Sequence, residues 1–127
     1  MRMKTQWLLP LIAAVCLMTA ESAQAHFLWL VAVPPENPTE VKVYFSEAAV
    51  PDDPRLLDNA AKAQLFAISG GRESKTELLK LTKGEDALIG KFPEGSTSAA
   101  IVNLSYGVIS RGGKAFVLNY YGKVYPS

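Results

Sequence analysis

Apolar residues along the chain fall into short runs, each closed by turn-forming residues. Residues 27–33, Phe-Leu-Trp-Leu-Val-Ala-Val, are apolar without a break, and Pro34-Pro35-Glu36-Asn37-Pro38 follows, where no strand ladder can continue. That run predicts a first strand buried on both faces. Residues 40–46 alternate instead. Val41, Val43 and Phe45 share one face while Lys42, Tyr44 and Ser46 share the other, the period-two signature of a half-buried strand. Five further stretches repeat the theme: 62–69 closes at Gly70-Gly71, 75–82 at Lys83-Gly84-Glu85, 87–92 at Pro93-Glu94-Gly95, 97–109 at Arg111-Gly112-Gly113, and 114–121 comes last.

Seven short strands with turn signals at this spacing predict an all-β fold, an antiparallel sandwich of immunoglobulin-like or transthyretin-like type. One segment breaks the rhythm. After Glu47, Asp53 is placed to cap a helix, Pro54 suits its first position, and Leu56 and Leu57 supply a narrow apolar edge. The reading is an acidic loop followed by one or two helical turns near 54–60.

The first 25 residues follow another pattern. Arg2 and Lys4 precede an apolar run over 7–18 that only Pro10 interrupts, and Ala23-Gln24-Ala25 offers the small residues a signal peptidase reads. This predicts a secretory signal peptide over 1–25, a single sandwich domain over 26–127, and a periplasmic or secreted location. The apolar run is about a dozen residues where a membrane span needs roughly 20, so no membrane span is expected in the mature chain. Cys16, the one cysteine, sits inside that run without the small neighbour a lipid-anchor site requires. Export therefore leaves a cysteine-free domain of about 100 residues, held by its core alone.

Composition narrows the partners. The 127 residues are 49% hydrophobic and 20% charged, as in ordinary globular proteins. Loss of Arg2, Lys4 and Glu21 with the leader leaves acids and bases equal in number. A neutral domain without a Lys/Arg cluster lacks the footprint of a nucleic-acid binder, and it has no polybasic stretch for an anionic membrane.

Cleavage after Ala25 makes His26, the single histidine, the new amino terminus. Its free amine and ring nitrogen can grip one ion in a single chelate, which suits nickel or copper. The carboxylates available to assist are Glu47, Asp52, Asp53 and Asp58, all just past the second predicted strand, with Glu47 and Asp52 favoured. The competing reading is that the histidine merely follows the cleavage site.

Other chemistry is poorly supplied. A histidine-brace copper monooxygenase needs a second histidine, a Ser/His/Asp triad could draw only on terminal His26, and zinc sites built from His and Cys are limited to one ligand. Asp52-Asp53 reads as a solvated, helix-capping turn, and the loop lacks the alternating acids and central glycine of an EF-hand. Gly70-Gly-Arg-Glu-Ser-Lys-Thr76 departs from a phosphate loop in spacing and reads as a hairpin turn. Asn103-Leu104-Ser105 is a glycosylation sequon inside a predicted strand. Phe116, Tyr120, Tyr121 and Tyr125 cluster near the end, where tyrosines either cap a core or form a ligand platform.

Three motifs carry a resemblance to a family. His26-Phe-Leu-Trp-Leu30, Val43-Tyr-Phe-Ser-Glu47 with Pro51-Asp-Asp-Pro54 and Leu56-Leu57, and Arg111-Gly-Gly113 with Tyr120-Tyr121 resemble uncharacterised bacterial periplasmic proteins grouped with the substrate-specific component of nickel uptake systems. The resemblance covers most of residues 26–125. It implies a periplasmic β-sandwich, handling of nickel, cobalt or copper, and no established catalysis, with His26 as ligand and Glu47 as its partner. Members often carry a second part after the Tyr-Tyr pair, so the chain reads as a shortened or partial member. The leading expectation is a non-enzymatic binding module for a divalent transition metal through His26, Glu47 and Asp52. The alternative is a structural or protein-interaction domain of the cell envelope, pairing with a partner by strand addition.

Overall fold

A computed structural model describes residues 25–70, 72–95, 97 and 99–125. The expected signal peptide through Gln24, with Cys16, lies outside the described residues. The elements are β1 (Phe27–Val33), β2 (Glu40–Ser46), a 3-10 turn (Pro54–Ala60), β3 (Gln64–Ser69), β4 (Lys75–Leu79), β5 (Leu81–Lys83), β6 (Leu88–Lys91), β7 (Ala99–Arg111) and β8 (Lys114–Val124). They form two antiparallel four-stranded sheets, ordered β1-β2-β6-β5 and β4-β3-β7-β8. The all-β sandwich predicted from the spacing of turns is therefore what forms. Among the described residues no helix is long and apolar enough to cross a membrane.

Two layers meet because each sheet has one apolar face. Val41 and Val43 from β2, Leu65 from β3 and Val102 from β7 are fully excluded from solvent, with Leu28, Phe45, Leu79, Leu88, Ala100 and Leu104 around them. In β2 the alternation that predicted one buried face is observed, but Tyr44 and Ser46 on the other face are buried as well. Trp29 is the register partner of Tyr44, and its indole N–H donates to the Ser46 carbonyl at 3.0 Å. One aromatic on the outer face thus covers the neighbouring strand.

Three expectations are corrected. The unbroken apolar run of β1 is an edge strand rather than one buried on both faces, with Phe27 half exposed on the outer side. The predicted strand over 75–82 bends at Lys80, so β4 pairs in one sheet and β5 in the other, which raises the strand count to eight. A bend that lets one strand serve both layers is the usual corner of a sandwich. Finally, β8 runs on to Val124, pairing along β7 for its whole length.

At the opposite side β8 passes close to β1. A Cβ on Gly122 would lie 2.6 Å from Leu30 Cδ1 and 3.2 Å from the Leu28 carbonyl oxygen, so the absence of a side chain lets the two edges approach. Gly90 has the same role inside the core, where a Cβ would collide with the end of the Leu65 side chain. Leu65 has no exposed surface and no room to retreat. Gly90→Ala is therefore expected to cost about 1–3 kcal/mol by overpacking, and Leu65→Ala about 2–5 kcal/mol by cavity formation. Chemical denaturation of both variants checks this, and an unchanged midpoint for Gly90→Ala would contradict the close approach.

Candidate functional site

The site lies at the end of the sandwich where β1 begins and β2 stops. Side chains alternate along β1, so His26 shares the inward parity of Leu28 and Leu30. Leu28 sits opposite Phe45, which makes His26 and Phe45 diagonal neighbours across the ladder. Their rings stack, 5.8 Å between centroids and 28° between planes. Phe45 also meets Tyr106 in a stacked arrangement at 6.3 Å and Tyr120 edge-on at 5.4 Å, while Tyr106 and Tyr120 meet edge-on at 5.9 Å. His26 thus joins a cluster of four rings through Phe45.

A hairpin overhangs this end. The Gly112-Gly113 turn has φ of 58° and 73°, both left-handed, as a two-residue turn between right-twisted strands requires. Between Ser105 and Gly107 the register of β7 against β8 shifts, and Tyr106 is the extra residue of a bulge. Gly107 has φ of 117°, a conformation open to glycine, and it lets the strand bend there. The inward face of the ribbon then continues through Ile109, Arg111, Leu118 and Tyr120, and together with Ala25, His26 and Phe45 it lines an open cavity of about 530 Å³.

The acidic loop before the 3-10 turn assigns its carboxylates different tasks. Asp53 caps the turn as its position predicted: Oδ1 accepts the Arg55 backbone N–H at 3.0 Å, and the Arg55 guanidinium bonds both carboxylate oxygens. Those bonds hold the Asp53 carboxyl down to about 2. Asp58 pairs with Lys83. Asp52 Oδ1 accepts the Asp53 N–H at 2.7 Å, which leaves Oδ2 to face His26 Nε2 at 3.6 Å.

Of the three residues expected to form a metal site, two are therefore brought together. Glu47 is exposed just past β2, at a bend where the Ser46 hydroxyl donates to the Ala48 carbonyl. Among the described residues no three His, Cys, Asp or Glu side chains gather into a group able to hold a metal ion. Among the described side chains the site supplies the His26–Asp52 pair, and no third histidine, cysteine or carboxylate joins it.

Tyr106, Arg111 and Leu118 were not singled out as site residues by sequence reasoning. A signal for Tyr106 exists in Gly107, since an isolated glycine inside a strand pattern marks a bulge. The terminal tyrosines divide: Tyr120 turns into the cavity, whereas Tyr121 and Tyr125 face solvent, with Lys123 Nζ 4.8 Å from the centre of the Tyr125 ring. Burial pushes the Tyr120 phenol above its usual range; Tyr106 adds to the effect and the Arg111 charge opposes it.

No protein-family model matches the chain, and comparison with curated proteins and with solved structures finds no match.

The capping geometry has a direct pH consequence. Asp53 is depressed from 3.8 to about 2 in the folded chain, so its contribution is complete above about 4 and is lost as pH falls toward 2. An NMR titration of the Asp53 carboxyl should show a midpoint near 2, rising toward an ordinary aspartate value in Arg55→Ala. An ordinary midpoint in the unaltered protein would contradict the fork.

Proposed function

We propose that the protein is an exported binding module of the periplasm, not an enzyme, that captures a divalent transition metal at His26. The observation that carries this reading is the placement of the His26 ring: stacked on Phe45, facing Asp52, and lining an open cavity. Leader removal after Ala25 frees the His26 amine. With Nε2 directed at Asp52, Nδ1 is the ring nitrogen left beside the amine, and the two close one chelate ring on nickel, cobalt or copper. Asp52 then acts on the far side of the ring as an orienting carboxylate, the arrangement that fixes imidazole ligands in metal sites. Glu47 stands outside this pair, exposed on the adjacent bend. The His26, Glu47 and Tyr120-Tyr121 motifs resemble uncharacterised periplasmic proteins grouped with a component of nickel uptake systems, which is in keeping with the same chemistry.

A second reading has its own observation. On the outer face of the β7–β8 ribbon Val108 and Val117 are cross-strand partners, 68% and 67% exposed, and β8 is an edge strand. A structural or protein-interaction domain of the envelope would use that face, and it would be indifferent to chelators.

The processed chain, with its terminus verified by intact mass, should bind nickel(II) or copper(II) with micromolar or tighter affinity by calorimetry. One residue left ahead of His26, or His26→Ala, should weaken binding at least 100-fold, and Asp52→Asn about 10–100-fold. Equal affinity with and without a preceding residue would remove the metal reading in favour of the interaction domain.

A further inference from the structure

The outer face of the second sheet carries polar side chains that the fold does not use. Gln64 of β3 stands opposite Asn103 of β7, and Asn103 stands opposite Tyr121 of β8, so three adjacent strands present one straight row. Ser105 and Asn119 form the next pair on the same face. With Lys62 at one margin, these residues line an open cleft of about 260 Å³. Asn103 and Ser105 are the polar residues of the sequon, and because alternate residues of a strand share a face, both belong to this wall.

Among the described residues no side-chain hydrogen bond or ion pair engages Gln64, Asn103, Ser105, Asn119 or Lys62. Each amide therefore keeps two N–H donors and a carbonyl acceptor for a ligand. Beside them the Tyr121 side chain, 75% exposed, offers an apolar ring with a polar tip. No carboxylate lines the cleft and Lys62 is its one charge, so an ionic ligand finds little there.

Paired donors and acceptors next to an open aromatic ring match a ligand whose surface alternates hydroxyls with apolar C–H faces, which is the chemistry of a pyranose sugar. The row from Gln64 to Tyr121 spans two strand spacings, about 10 Å, the length of a disaccharide unit, and its straight course suits an extended chain. A peptide would instead add along the β8 edge through backbone groups.

We propose that this face binds an uncharged oligosaccharide of extended, β-linked form. Tyr121 stacks on one pyranose ring, and the amides of Asn103, Gln64 and Asn119 take hydroxyls of that sugar and its neighbour. The cleft shares no residue with the cavity at His26, so the inference does not rest on the metal reading.

The test is an amide NMR titration of the isotope-labelled protein with cellotetraose and, separately, chitotetraose. At least one should shift residues 62–64, 103–105 and 119–121 with a Kd below about 1 mM. Tyr121→Ala and Asn103→Ala should each weaken binding roughly tenfold or more, whereas Tyr121→Phe, which keeps the ring, should stay within about threefold. His26→Ala should bind the sugar as the unaltered protein does. Absence of shifts with either sugar at about 10 mM overturns the proposal. Shifts centred away from this row, or full affinity in a folded Tyr121→Ala, overturn it as well. Metal uptake at His26 is read separately by calorimetry, and none of these results alters it.

Discussion

The register of β1 against β2 governs both the core and the site. With Leu28 opposite Phe45, the inward residues of both strands point at β3 and β7, and His26 falls on the inward side by parity. A slip of one residue would reverse every one of these side chains, exposing Leu28 and Leu30 and turning His26 outward. The buried face of β2 makes that slip costly, since Val41 and Val43 have no exposed surface to lose. Trp29 adds a second lock from outside through its hydrogen bond to the Ser46 carbonyl. The orientation of His26 thus follows from packing elsewhere.

The cavity depends on a departure from regular pairing. If β7 and β8 paired without interruption, the hairpin would extend the sheet in one plane, and its inner face would pass over the end of the sandwich. The bulge at Tyr106 adds twist and directs the extra side chain toward Phe45, where it joins Tyr120. An isolated two-stranded ribbon is marginal in water. Here it is anchored by the Phe45–Tyr106–Tyr120 cluster and by the close passage of Gly122 beside β1. The elements that shape the cavity are the ones that hold the ribbon in place.

Much of this architecture was legible before the structure. Period two over 40–46, the Gly112-Gly113 closure, and Asp53-Pro54 ahead of Leu56-Leu57 each act locally, so local reading found β2, the β7–β8 hairpin turn and the 3-10 turn, while Pro93-Glu94-Gly95 ends β6 where the chain crosses to β7 in the other sheet. Three features were hidden because they depend on distant partners. An unbroken apolar run looks alike in a central strand and in an edge strand whose outer face carries Phe27 and Trp29, and only pairing order distinguishes them. The bend at Lys80 splits one run between two sheets. For the site, His26 and Asp52 could be named from chemistry, but their approach across a loop could not be separated from that of Glu47, Asp53 or Asp58. Arg55 engages Asp53 within the same turn, whereas Lys83 reaches Asp58 from β5, and that second pairing is tertiary.

The two faces of the β7–β8 ribbon separate the two functional readings in space. Beyond the bulge, the inner face carries Ile109, Arg111 and Leu118 toward His26, while Val108 and Val117 point the other way by strict alternation. A partner seated on the outer face would pack on Val108 and Val117 and leave the cleft uncovered. The bulge and the turn glycines of this one hairpin set the geometry of both faces.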